Sequence, residues 1–163
     1  MSTSLSFEDL LKYSERETQH WHDWFKKSPA ALGVKSDIAF TQDIRGVVHH
    51  IVAVELRYAQ RLNEQPISEY SELPTGLEAL FATANTAQGL LRKFLAEAKP
   101  EEWDKVIDFP TRTMGTLTAS KRKIFIHTLM HSARHWAQVA AVLRAGGFKQ
   151  DWQHDFLFSD VMK

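Results

Sequence analysis

The sequence predicts an all-α protein that folds as a four-helix bundle. Four long segments place apolar residues three and four positions apart, which is the spacing of an amphipathic helix. No segment shows the strict alternation that would indicate a β-strand. With 163 residues, 44% of them hydrophobic, the chain is long enough to bury a core, so we expect a single domain over residues 1–163.

The sequence suggests where the first two helices begin and end. Ser6 followed by Asp9 is a capping start, and apolar residues recur at helical spacing from there to about Lys27. Residues 29–40 form a connection, and the second helix is predicted over residues 41–63. Its apolar stripe consists of Ile44, Val47, Val48, Ile51, Val54, Tyr58 and Leu62.

A polar loop with two prolines leads to the third helix. Thr75 and Glu78 have capping-box spacing, and the helix is predicted to continue to about Lys99. Residues 100–119 are expected to form an irregular crossover with one short extended piece. The fourth long helix then begins after Ser120 and ends at two glycines, and the aromatic tail beyond it is expected to pack against the bundle.

Composition excludes several classes of function. Twenty basic and twenty acidic side chains cancel, so neither nucleic acid nor an anionic membrane is an expected partner. The N-terminal residues lack a signal-peptide pattern and no run is apolar enough to span a bilayer, which leads us to expect a cytoplasmic protein. There is no cysteine, so a metal site would have to use histidines and carboxylates.

The fourth predicted helix carries three histidines at four-residue intervals, His127, His131 and His135. On a helix such residues lie one turn apart on nearly the same face, and a His pair at this spacing can share one metal ion. By itself, this spacing is more often found in a pair on the protein surface, or in a hydrogen-bonded pair in the core, than in a metal site. A broad apolar face is predicted from Ile126, Leu129, Met130, Ala133, Trp136, Ala137 and Ala140. His131 and His135 fall in a narrower apolar strip on nearly the opposite side, with Ile124, Val139 and Val142.

The second predicted helix contributes one more histidine to the interior. His50 lies at the edge of its apolar stripe, whereas His49 points nearly opposite and is expected to face solvent. Glu55 falls within the stripe, and we expect it to be paired with Arg57, Arg61 or Arg92.

Two histidines of the first helix are not expected to form a site. His20 and His22 are two positions apart and project in different directions, so they cannot chelate one ion together. We expect each to be exposed or to make a single hydrogen bond.

Taken together, these residues resemble the DinB-like (DinB/YfiT-like) family of metalloenzymes over nearly the whole chain. The resemblance rests on the four-helix layout, the segment from Val48 to Tyr58, the His127, His131 and His135 row, and Gln138 followed by the Leu143 to Gly147 ending. It implies a metal, often nickel or zinc, held by His50, His131 and His135, with Glu55 at the usual family spacing beyond His50. Many members have His-Arg-Gly-Gln after the last ligand position, whereas this chain has Trp136 and Ala137 after His135, with Arg134 before it.

Three neutral imidazoles would leave a divalent ion such as Zn, Ni, Fe or Mn with an open position, as in catalytic sites. Such an ion can lower the pKa of a bound water to about 7, or hold a substrate thiol as thiolate. Both metal-assisted hydrolysis and thiol transfer are therefore open. The resemblance favours a thiol-dependent S-transferase that uses a low-molecular-weight bacterial thiol and a small-molecule substrate. Gln138 and Glu55 could act behind the ligands, and no catalytic base is evident. The alternative is a structural or interaction bundle, for example a homodimer, with adventitious metal.

Overall fold

The computed structural model describes residues 4–162, and four long helices carry the fold. They are α1 (Phe7–Lys27), α2 (Ile44–Leu62), α3 (Leu77–Glu97) and α5 (Lys121–Ala145). A short helix, α4 (Pro100–Asp104), and two strands, β1 (Val106–Pro110) and β2 (Thr116–Ser120), lie between α3 and α5. Helix α2 packs against both α3 and α5, and α1 closes the bundle against the same two helices. The predicted all-α bundle is therefore confirmed.

The helix starts show which capping predictions were correct. Ser6 caps α1 in a capping box with Asp9, as predicted, and Ser120 caps α5 by accepting from the backbone N–H of Lys123. Helix α2 begins later than predicted, because the side chain of Asp43 accepts the N–H of Gly46 at 2.9 Å and makes Asp43 the N-cap.

The capping box predicted at the start of α3 is absent. Gly76, not Thr75, is the N-cap, and no side chain accepts a hydrogen bond there. Glu78, which would close the box, instead lies 3.1 Å from Nε2 of His22 on α1. Pairing between helices has replaced the predicted local contact.

The crossover is more ordered than predicted. Residues Val106–Pro110 and Thr116–Ser120 pair as an antiparallel hairpin in which Phe109 faces Leu117. The turn is closed by Thr111, which donates to the carbonyl of Gly115, and Gly115 has a φ of +69° that suits glycine. The sequence predicts one extended piece here, and the structure has two strands. The second strand gives no sequence signal, because it lacks an alternating hydrophobic pattern and its side chains are largely exposed.

The buried face of α5 differs from the predicted broad apolar face. Met130 is 66% exposed, and Ala133 and Ala137 also face solvent. The core side consists of Ile124, Phe125, Thr128, Leu129, Ser132, His135, Trp136, Val139, Ala140 and Leu143. Leu129, Trp136 and Ala140 of the predicted broad face are thus buried as expected. They share the core with Ile124, Val139 and His135 of the narrower strip, while Val142 is partly buried.

A buried lysine fixes the start of α5 against the rest of the bundle. Lys121 is 2% exposed, and its ammonium group lies 3.0 Å from Glu64, just after α2, and 2.7 Å from Glu102 on α4. A buried charge is tolerated only when it is paired, and here two carboxylates pair with it. This arrangement ties the ends of α2 and α5 together.

The aromatic tail packs against α1 through part of its length, in line with the prediction. Trp152 donates its indole N–H to the carboxylate of Glu17 at 3.2 Å, and His154 contacts the same carboxylate. Leu157 and Phe158, by contrast, are 85% and 56% exposed. No helix in the described part of the chain is both long and apolar enough to cross a bilayer.

Candidate metal centre

Helices α2 and α5 bring three histidines to one point. His50 comes from α2, and His131 and His135 come from successive turns of α5. One ring nitrogen of each lies within 4.8 Å of the others. The Nε2 atoms of His50 and His131 are 3.2 Å apart, and the rings of His131 and His135 have centroids 4.4 Å apart. The structure therefore assembles the three residues that the sequence singled out.

His127, the first histidine of the α5 row, lies outside this group. The residue is exposed overall, but its ring packs edge-on against Tyr58 of α2, at 5.5 Å between centroids. His127 therefore faces α2 about two helical turns along from His50, and not at the level of His50. Of the two possible pairs in the row, only His131 and His135 face His50.

Two further side chains contact the rings of the grouped histidines. The amide oxygen of Gln138 is 2.7 Å from Nδ1 of His135, so Nδ1 donates and the lone pair of Nε2 is left for the site. The hydroxyl of Tyr70 is 3.3 Å from Nδ1 of His50. Gln138 was anticipated, but Tyr70 was not, because it lies in a polar loop whose path over α2 has no local sequence signal.

His49 is buried, contrary to the expectation that it faces solvent. It is 8% exposed, its Nε2 is 3.3 Å from the carbonyl of Leu73, and the ring of Tyr70 packs edge-on against it. The loop before α3 covers that side of α2, which the angular count on an isolated helix cannot show. His49 is nonetheless on a different side from the three grouped histidines.

The grouped histidines are held in the neutral form. Burial is the largest cause that lowers the pKa of His50, to about 4, and that of His131, to about 2, and the neighbouring imidazole of His135 contributes to both. Burial also lowers the pKa of His135. Neutral imidazoles carry the lone pairs that a metal ion requires, so near pH 7 the rings are ready to bind one.

The donor set fits a divalent ion. Two nitrogens at about 2.05 Å from a tetrahedral ion lie roughly 3.3 Å apart, close to the 3.2 Å between His50 and His131. Nδ1 of His131 is buried and has no hydrogen-bond partner. Imidazole ligands suit zinc, nickel and iron, and three protein ligands leave room for a fourth.

Replacing Gln138 by leucine should weaken metal binding roughly 10- to 100-fold without abolishing it, since the orientation of His135 would be lost while all three ligands remain. Competition titration with a chelator measures the affinity. Glu in place of Gln138 keeps an acceptor at Nδ1 and should restore most of the affinity. Equal affinity in the leucine variant would contradict an orienting role.

Glu55 does not form the ion pair that was predicted. Its side chain is 1% exposed, and neither carboxylate oxygen has a hydrogen-bond partner among the described residues. Arg57 and Arg61 instead donate to backbone carbonyls, and Arg92 pairs with Glu15 on α1. Burial, with a smaller contribution from Glu15, raises the pKa of Glu55 to about 8.

The other residues singled out in the sequence lie in well-defined surroundings. Trp136 is buried and stacks on Trp21, with 5.2 Å between centroids, and Arg134 lies 3.4 Å from Nε2 of His135. His22 has Glu78 as its hydrogen-bond partner, as expected, and its ring also stacks on Phe81. His20 differs from the expectation, because it packs edge-on against Trp152 and its Nδ1 is buried without a hydrogen-bond partner among the described residues.

A comparison with known sequences agrees with this geometry. The sequence profile of the DinB family matches residues 1–160, which is nearly the whole chain. No curated protein matches the sequence significantly. With four long helices in a bundle and the three histidines at the junction of α2 and α5, the chain belongs to the DinB family.

Proposed function

We propose that this protein is a metal-dependent enzyme whose divalent ion is held by His50, His131 and His135, and that it transfers a thiol to an electrophilic small molecule. The observation that carries the proposal is the convergence of three neutral imidazoles from two helices within 4.8 Å. Metal-assisted hydrolysis is the second candidate reaction.

A cavity of about 340 Å³ opens onto two of the proposed ligands, His50 and His131. When bound, the ion would supply a Lewis acid that lowers the pKa of a thiol or a water at its open position. The chain itself supplies orientation and a partly apolar wall from Val54, Met114 and Leu117. Side chains of this kind limit the access of water to a reacting thiol.

The absence of cysteine supports thiol transfer in one respect, since the sulfur nucleophile then has to come from a second substrate. One observation favours hydrolysis. His127 lines the same cavity, and burial and the nearby Arg134 lower its pKa, so its imidazole is in the form that can accept a proton. A neutral histidine beside the cavity is a suitable general base for water.

Elemental analysis of tag-free protein tests the metal site, with His131→Ala and His127→Ala as a matched pair one helical turn apart. We expect about one ion per chain in wild type, loss of the ion in His131→Ala and retention in His127→Ala. Protein that stays metal-free after loading with zinc, nickel, iron and manganese would overturn the proposal and favour the interaction bundle. Wild-type protein with metal would then be assayed for transfer of low-molecular-weight thiols and for hydrolysis.

A further inference from the structure

Positive charge is concentrated in the cavity beside the three histidines. Four arginines line it: Arg57 and Arg61 from α2, Arg112 from the turn between β1 and β2, and Arg134 from α5. The chain as a whole has equal numbers of basic and acidic side chains, twenty of each. Among the described residues, however, no aspartate or glutamate lines this cavity. The chain is neutral overall, but this cavity is strongly basic.

The two α2 arginines are held in place by backbone carbonyls. Arg57 donates to the carbonyl of Ser68, and Arg61 donates to the carbonyl of Pro110 at 2.9 Å. Neither contact neutralises a guanidinium charge. A guanidinium has five N–H donors, so each retains donors for a ligand.

The other two arginines are similarly uncompensated. Arg112 lies over the ring of Tyr70, with 4.5 Å from its guanidinium carbon to the centroid. Arg134 lies 3.4 Å from Nε2 of His135. None of the four cavity arginines is within ion-pair distance of a carboxylate in the described part of the chain.

Three arginines elsewhere in the protein do have such partners. Arg92 pairs with Glu15, and Arg122 makes two hydrogen bonds to one oxygen of Asp104 at 2.9 and 3.0 Å. Arg16 pairs with Asp160. Arg45 and Arg144 have no carboxylate partner among the described residues either, but each lies outside the cavity, so what distinguishes the cavity is that four such guanidinium groups line one space.

The charges act on one another and on the histidines. Burial and the nearby Arg57 lower the pKa of Arg61, and Arg112 and Arg134 contribute to the lowered pKa of His50. Arg57 and Arg61 are four residues apart on a helix, a spacing at which like charges repel. A bound anion would relieve this repulsion.

We propose that the cavity binds a small polyanionic substrate, which carries about two or more negative charges on carboxylate or phosphate, through Arg57, Arg61, Arg112 and Arg134. Planar guanidinium groups match both carboxylate and phosphate, which they can bind through two parallel hydrogen bonds. A volume of about 340 Å³ is in the range of small-molecule sites. The proposal rests on the proposed function in one respect, because it makes the anion a substrate of the same site.

The test uses metal-free full-length protein, so that anions cannot bind through a metal. Calorimetric titrations at constant ionic strength would use succinate, inorganic phosphate and pyrophosphate, with uncharged succinamide as the control for succinate. Arg112→Gln and Arg134→Gln remove exposed cavity arginines, and Arg134→Lys keeps the charge but not the planar fork. Arg45→Gln is the matched control, since Arg45 on α2 also donates to a backbone carbonyl, that of Thr75, but does not line this cavity.

We expect at least one dianion to bind with saturation and succinamide not to bind. Loss of a charge-assisted contact should weaken the affinity about tenfold or more in Arg112→Gln and Arg134→Gln, with wild-type affinity in Arg45→Gln. Binding of succinate alone would identify a carboxylate substrate, and binding of phosphate or pyrophosphate alone would identify a phosphate substrate. Absence of binding by all three anions, or equal affinity in the cavity variants, would overturn the proposal. The metal content is measured separately, so failure of the metal site remains distinguishable from failure of this one.

Discussion

Adding zinc or nickel to the metal-free protein should raise its free energy of unfolding, and the rise should vanish when His50 is replaced by alanine. The three proposed ligands come from α2 and α5, so a bound ion would join two helices that are far apart in sequence. An ion that binds only the folded chain stabilises it by about 4 kcal/mol when its free concentration is roughly 1,000 times the dissociation constant. Denaturant unfolding at a series of metal concentrations measures the effect.

His49→Ala is the appropriate control for this experiment. His49 is the neighbour of His50 on the same helix and is also buried, where its ring contacts the carbonyl of Leu73. Its loss should lower the stability of the metal-free protein but leave the metal-dependent rise unchanged. If wild type and His50→Ala respond equally to metal, the three histidines are not the binding site.

The sequence predicted the grouping of His50, His131 and His135 because helical spacing is a short-range property. The four-residue interval between His131 and His135 places both on one face of any α-helix, and the apolar stripe of α2 selected His50 over His49. These arguments required only that the two segments be helical and packed together. The structure confirms both conditions.

Features that depend on long-range packing were not predictable in the same way. Tyr70 reaches His50 and Arg112 reaches Tyr70 because two loops converge over α2, and loop paths follow from tertiary structure. The four cavity arginines come from two helices and a turn, so no sequence window contains them together. The buried face of α5 was misjudged because alanines such as Ala133 and Ala137 fit either the core or the surface.

Replacing Glu55 by glutamine should stabilise the protein at alkaline pH. The gain in the free energy of unfolding should grow between about pH 4.5 and pH 8. The pKa of Glu55 is raised from 4.5 to about 8 in the folded chain. At about 1.4 kcal/mol per pKa unit, the ionised carboxylate costs on the order of 5 kcal/mol once the pH exceeds the folded value.

The sign follows from proton binding. The folded protein holds the proton of Glu55 more tightly than the unfolded chain, so the stabilisation due to this proton is complete below the unfolded pKa. It is lost progressively as the pH rises toward about 8. Glu15 on α1 adds to the rise in the pKa of Glu55, whereas Arg57, Arg61 and Arg92 have other partners.

The position of Glu55 in the core explains why it has no counter-charge. It lies on α2 between Ile51, in one hydrophobic cluster, and Ala59, in the other. The other long helices also bury polar side chains, and Thr18, Gln88 and Ser132 each have an atom without a hydrogen-bond partner among residues 4–162. No cationic group in this part of the chain contributes to the raised pKa of Glu55, so protonation is what neutralises the carboxylate.

Urea unfolding of wild type and Glu55→Gln at about pH 5, pH 7 and pH 9 tests the prediction, because the difference between the two proteins isolates the titration of one group. Glutamine keeps the size of the side chain and removes the charge, so the two proteins should have similar stability at the lowest pH and diverge as the pH rises. Glu97→Gln, at an exposed position near the end of α3, is the matched substitution at a solvated site. A constant difference between wild type and Glu55→Gln at every pH would show that Glu55 titrates alike in the folded and unfolded chains, and would contradict the effect of its burial.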